Sequence, residues 1–167
     1  MWLHKLKIIG GIVFLLAFAG CSTVTIGQLD ERVSAKLSSV SVVDTDGRAG
    51  QLYNRALRQA LYVYGQAAPA YSLTSSISFS SSTTLSVRGV SSTFKKMTMV
   101  ANFELTKQSG GDVLLRDTVT ADATLGTVSS LFGQDQSELH ARDRMATLLA
   151  KRVAQRIQLY FIENANN

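Results

Sequence analysis

The chain is 167 residues long with a formal charge of +5, from 17 basic and 12 acidic residues, and it carries one cysteine and two histidines. That length suits a single domain, and a lone cysteine excludes a disulfide framework, a thiolate metal cluster and an intramolecular redox pair. Two histidines without a cysteine cluster leave little for metal chemistry to work with.

Met1 to Cys21 reads as an export leader. Lys5 and Lys7 form a short basic head, Ile8 to Phe18 an apolar stretch, and Phe18-Ala19-Gly20 sets small residues directly before Cys21. The apolar run is too short to span a bilayer stably, which takes about 20 residues. This segment resembles the lipobox of bacterial lipoproteins, whose cysteine becomes the first residue and is acylated, and two or more acyl chains make a durable tether. Ser22 follows Cys21 where lipoproteins retained in the inner membrane of enteric bacteria carry Asp, so the likeness implies the inner face of the outer membrane. The expected division is a leader over 1–20, a lipidated flexible stalk over 21–34 and one domain over 35–167. Removing Lys5 and Lys7 leaves the mature chain at +3, 15 basic residues against 12 acidic, which argues only weakly for a polyanionic partner.

Lys36 to Val43 alternates weakly, with Val40 and Val42 out of phase with the serines, and predicts a short strand followed by an Asp44-Thr45-Asp46-Gly47 turn. From Arg48 to Tyr64 the apolar residues Ala49, Leu52, Tyr53, Ala56, Leu57, Ala60, Leu61 and Tyr64 recur every three or four positions, the period of an amphipathic helix. Asp46 is its expected N-cap, and Gly65 with Pro69 ends it. At Tyr71 the period becomes two: Tyr71, Leu73, Ile77 and Phe79 oppose Ser72, Thr74, Ser76, Ser78 and Ser80 in a half-buried strand. A second alternation places Met97, Met99, Ala101, Phe103 and Leu105 against Thr98, Asn102, Glu104 and Thr106, and a third runs from Val113 to Ala123, joined through Gly110-Gly111. The last element is a long amphipathic helix from about Asp135, where Asp135 with Glu138 matches a capping box, to about Glu163. Arg142 interrupts its apolar stripe and is expected to lay its stem on apolar surface with the head in water. The order β-α-β-β-β-α predicts an α+β two-layer sandwich, two helices on one face of a four-stranded sheet.

No catalytic constellation stands out. His140 is the one histidine beyond the leader and falls on the wet side of the final helix, no serine sits in a Gly-x-Ser-x-Gly elbow, and no phosphate-cradling glycine pattern occurs. The expectation is a binding or structural module, with no cofactor and no metal. One segment suits binding: Ser80 to Lys96 is a Ser/Thr-rich connection in which Arg88, Lys95 and Lys96 alternate with Val87, Val90 and Phe94. Cations beside apolar groups fit an amphiphile with an anionic head, although basic residues also serve to guard an exposed sheet edge.

Taken in order, the lipobox, Gly47-Arg48-Ala49-Gly50-Gln51-Leu52-Tyr53-Asn54-Arg55-Ala56-Leu57, Tyr71-Ser72-Leu73, the Lys96 to Leu105 strand, Gly111-Asp112-Val113-Leu114 and the closing Ala154-Gln155-Arg156-Ile157-Gln158-Leu159-Tyr160 resemble the LptE-type lipopolysaccharide-assembly lipoproteins of alphaproteobacteria. After Cys21 the chain runs Ser22-Thr23-Val24-Thr25, where that family often has Gly-Phe-x-Pro-Leu-Tyr. The resemblance implies a lipoprotein that plugs the lumen of the LptD β-barrel, helps it assemble and takes part in delivering lipopolysaccharide to the outer leaflet. It also implies lipopolysaccharide binding, for which Arg88, Lys95 and Lys96 are the candidate residues, and an anchor at Cys21. The alternative is a general envelope lipoprotein, either a lipid-transport accessory or a peptidoglycan-synthase activator.

Overall fold

The structure, a computed structural model, describes residues 31–62, 65–84, 94–126 and 130–164. It opens with helix α1 (Glu31–Ser38), followed by β1 (Val40–Val42), α2 (Gly47–Leu61), β2 (Tyr71–Thr84), β3 (Phe94–Lys107), β4 (Val113–Gly126) and α3 (Leu131–Glu163). The sheet order is β1-β2-β3-β4, with β1 parallel to β2 and the other pairs antiparallel. The architecture is thus the expected α+β sandwich, with one additional helix at its start.

That helix changes the reading of its segment. Val33 and Leu37 stand one turn apart and are both buried, so 31–38 is held by packing of a two-residue apolar stripe. The strand expected from Lys36 is reduced to Val40–Val42, and Glu31–Ser34, assigned above to a flexible stalk, belong to the helix. Eight residues offer too few apolar positions for either period to be decisive.

One face of the sheet is covered and one is open, and β3 shows why. Met97, Met99, Ala101, Phe103 and Leu105 alternate with Thr98, Val100, Asn102, Glu104 and Thr106, and only the first set is buried. Opposed residues on neighbouring strands share a face, so the register Leu73↔Leu105, Met99↔Ala121 and Ala101↔Val119 continues the apolar layer across β2 and β4. A β-bulge between Leu105 and Thr106 lets Leu114 slip out of register near the β3–β4 turn.

Helices α2 and α3 close that layer. In α2 the buried set is Gly50, Tyr53, Asn54, Leu57 and Leu61; in α3 it is Ala141, Met145, Ala146, Leu149, Ala150, Val153, Ala154, Ile157 and Phe161. Alanines at four of these α3 positions keep side chains short where the helix lies close to its neighbours. Helix α3 starts earlier than the capping box at Asp135 suggested, because Ser130 is the N-cap and its hydroxyl accepts from the Gly133 N–H at 3.3 Å. Asp46 occupies the N-cap of α2 without a side-chain bond to the helix.

Gly50 is a required glycine. A Cβ there would stand 2.3 Å from the Thr45 carbonyl oxygen. That oxygen accepts from Asn54 Nδ2 at 3.2 Å, Asn54 Nδ2 also reaches Asp44 Oδ1 at 3.2 Å, and Thr45 Oγ1 donates to the Ser75 carbonyl at 3.3 Å. The close approach therefore ties the start of α2 to both β1 and β2.

Candidate functional site

The uncovered face is hydroxyl-rich by construction. Strand β2 contributes Ser72, Thr74, Ser76, Ser78, Ser80 and Ser82, β3 contributes Lys96, Thr98, Val100, Asn102, Glu104 and Thr106, and β4 contributes Arg116, Thr118, Thr120, Asp122 and Thr124. Cross-strand pairs bind this surface to itself: Thr98 donates to Asp122 at 2.6 Å, Thr118 to Asn102 Oδ1 at 2.7 Å, and Arg116 pairs with Glu104. Among the described residues no helix lies over it, so this face is an open polar, hydrogen-bonding surface.

Of the three predicted binding cations, Arg88 lies outside the described residues, as does Cys21. Lys95 and Lys96 are neighbours on β3 and therefore point to opposite faces. Lys95 turns to the helix-covered side, where its Nζ meets Glu138 Oε1 of α3 at 2.7 Å, with side chains only 27% and 14% exposed. Gln134 donates to the same oxygen at 3.0 Å. The hydrogen bond from Lys95, then that from Gln134, hold the Glu138 carboxyl below its usual range. Lys96 projects from the open face, with Asp122 at 3.9 Å and both side chains about half exposed. The two lysines do not form one patch.

The structure brings a different cation to this end of the molecule. The Arg142 guanidinium lies 4.1 Å above the centre of the Phe79 ring, and its Nε is buried without a hydrogen-bond partner. The head expected in water is instead stacked on an aromatic face. Farther along, at the β2–β3 hairpin end and the start of α3, are exposed Phe94, Leu131 and Phe132, the last two 79% and 73% accessible. The alternation of β2 hinted at Phe79. Leu131 and Phe132 precede the expected start of α3 and gave no periodic signal.

His140 is exposed and lines an open groove with Leu52, Leu125, Ser137, Asp143, Arg144 and Thr147. Among the described residues, no group of three His, Cys, Asp or Glu is placed to hold a metal ion, and no helix is long and apolar enough to cross a membrane.

No curated protein matches the chain. Among solved structures, a lipoprotein of Caulobacter crescentus CB15 superimposes with a TM-score of 0.61 at 18% identity, covering 78% of this chain and 96% of that one. A minor lipoprotein of Acinetobacter baumannii gives a TM-score of 0.53 at 14% identity, covering 72% of this chain and 90% of that one. These two similarities establish a shared fold. The sequence itself matches the family model LptE, lipopolysaccharide-assembly, over residues 36–157, from the last turn of α1 to the last turns of α3, and on that match the chain belongs to the LptE family of lipopolysaccharide-assembly proteins.

Proposed function

We propose that this protein is an outer-membrane lipoprotein, anchored through an acylated Cys21 on the periplasmic side, that seats in the lumen of an LptD-type β-barrel, helps it assemble and takes part in delivering lipopolysaccharide to the outer leaflet. The observation that carries this reading is the open sheet face. The lumen of an outer-membrane barrel is polar, and a surface of Ser, Thr and Asn with paired charges meets such a wall without burying an unpaired charge. No catalytic step is asked of the protein. The leader over 1–20 and the lipidated segment after Cys21 supply export and tether, and the folded part begins no later than Glu31.

Lipopolysaccharide contact belongs, in this reading, to the hairpin end of the sandwich. Lys96 is available there and Arg88 lies in the same hairpin's connection, while Lys95 contributes by holding α3 against β3 through Glu138. Exposed Phe94, Leu131 and Phe132 supply apolar surface for acyl chains, and the cations supply charge-assisted bonds to lipid A phosphates.

The test is gentle detergent extraction of the tagged, acylated protein from envelopes, followed by mass spectrometry of what remains bound in stoichiometric amount. A large outer-membrane β-barrel is expected. Recovery of the protein alone, or with an inner-membrane transporter, overturns the reading in favour of a general envelope lipoprotein.

A further inference from the structure

Strand β2 is fourteen residues long, and its neighbour β1 only three. Its odd-numbered residues direct their backbone groups toward the β1 side: the Tyr71 N–H donates to the Ser39 carbonyl, and the Leu73 carbonyl accepts from the Val43 N–H at 2.9 Å. The Ser75 carbonyl accepts from the Thr45 hydroxyl. Beyond that point the chain of β1 has turned away into α2, and the outward N–H and C=O groups of Ile77, Phe79, Ser81 and Thr83 have no partner among the described residues. A row of this kind templates pairing with another strand, and proteins normally blunt it with charge or Pro. The opposite edge is blunted in that way. Strand β4 carries Arg116, Asp117 and Asp122, Arg152 of α3 reaches over it to donate to the Thr120 carbonyl, and Arg156 pairs with Asp117 at 3.3 Å. From Tyr71 to Thr84 there is neither a charged residue nor a proline.

We infer that the unguarded β2 edge from Ile77 to Thr83 is a strand-addition site for an extended segment of the β-barrel partner, which extends the sheet by continuing the lane that β1 vacates. The inference rests on the barrel reading above. The edge spans about 23 Å at roughly 3.3 Å per residue. A second copy paired there would meet it with seven residues a side, against roughly 20–30 in a stable interface, so the occupant belongs to a partner that also grips the molecule elsewhere. Ile77 and Phe79 flank the lane on the covered side and Ser76, Ser78 and Ser80 on the open side, which selects a segment alternating apolar with hydroxylic residues. That is the pattern of barrel strands and their extensions.

Residue-resolved hydrogen–deuterium exchange on the full acylated chain, free in detergent and in the complex recovered with the barrel, tests this. The amides of Ile77, Phe79, Ser81 and Thr83 are expected to slow at least about tenfold in the complex, while Thr74, Ser76, Ser78 and Ser80, already bonded to β3, stay unchanged. A recovered complex in which the odd-numbered amides still exchange fast overturns the edge assignment and leaves the barrel reading standing. Odd-numbered amides already slow in the free protein also overturn it, and concentration dependence would then identify a second copy. Failure to recover any barrel removes both readings. Ser81→Pro deletes one outward N–H without touching the β3 ladder; it is expected to cut barrel recovery severalfold with the thermal midpoint of the free protein retained, and unchanged recovery contradicts the inference.

Discussion

Replacing Gly50 by Ala inverts a standard expectation. In a helix interior Ala is favoured over Gly by about 1 kcal/mol, so propensity alone predicts a more stable protein. Here the added methyl would stand 2.3 Å from the Thr45 oxygen and 2.8 Å from its carbonyl carbon, so one backbone must retreat by most of an ångström. Overpacking of this kind costs about 1–3 kcal/mol. The retreat also strains the bond from Asn54 to the Thr45 carbonyl, and Asn54 is only 4% exposed, with Oδ1 already unpartnered. Asn54 Nδ2 keeps its bond to Asp44 Oδ1, so the bond lost to Thr45 adds only about 0.5–1.5 kcal/mol. After the propensity gain the net loss is about 0.5–3.5 kcal/mol, a fall in thermal midpoint of several degrees for a domain of this size. Urea melts of wild type, Gly50→Ala and the exposed control Gln51→Ala measure it. If Gly50→Ala matches or exceeds the wild type, the close approach does not exist in solution.

Lys95 and Lys96 are predicted to separate by function. Lys95→Ala strands the mostly buried Glu138 carboxylate and lowers stability by about 1–3 kcal/mol, whereas Lys96→Ala leaves melting within about 0.5 kcal/mol of wild type; combined with Arg88→Ala, it weakens binding to purified lipopolysaccharide, and unchanged affinity dismisses that cation pair. Because the Glu138 pKa is lowered on folding, its contribution is complete above the unfolded carboxyl range and fades as pH falls through the folded value, so acid titration of stability in wild type should show a larger loss than in Lys95→Ala, where of these two donors only Gln134 remains to lower it. Tyr53 is fully buried, donates to Ser75 Oγ at 2.9 Å, and burial pushes its phenol up to about 12. The unfolded chain then releases this proton first, so stability is intact below about pH 10 and falls by roughly 3 kcal/mol as pH rises through 12; Tyr53→Phe should remove that alkaline slope while costing about 1 kcal/mol at neutral pH. Leu149→Ala, at the centre of the α3 stripe and wholly buried, should cost about 2–5 kcal/mol in denaturant melts, and a smaller loss would mean the helix settles into the space.

How far the sequence reported this fold depended on the length of each pattern. β3 was legible residue by residue because five apolar side chains alternate with five others, four of them polar, between Met97 and Thr106, and tertiary packing agrees with that period. The tip of the β2–β3 hairpin was not. Ser80 to Thr84 reads as a loop, yet its backbone pairs with Phe94 to Thr98, and a ladder of main-chain bonds far from the core leaves no hydrophobic trace. The buried Ala141, Ala150 and Ala154 of α3 were not legible, since alanine's apolar signal is weak and its fitness for close approach appears only in three dimensions. At the candidate site, the residue types were visible and their directions were not. Adjacent lysines in a strand face opposite ways, and only the start of α3 decides that Lys95 finds Glu138.

The long final helix sets a distance as well as a layer. Thirty-three residues at about 1.5 Å each make a strut of roughly 50 Å, close to the roughly 46 Å of a fourteen-residue strand. The two ends so separated are chemically unlike. At one, Phe94, Leu131 and Phe132 are bare; at the other, Phe161 packs 5.1 Å from Tyr71, Lys36 of α1 stacks near it, and the β3–β4 turn is polar. The α1 end and the aromatic tip thus occupy opposite poles of a ruler longer than the roughly 25 Å apolar band of an outer-membrane barrel. Adding or removing one turn of α3 would change that reach by about 5.4 Å without altering either pole's chemistry, which makes span a property that can be varied independently of binding.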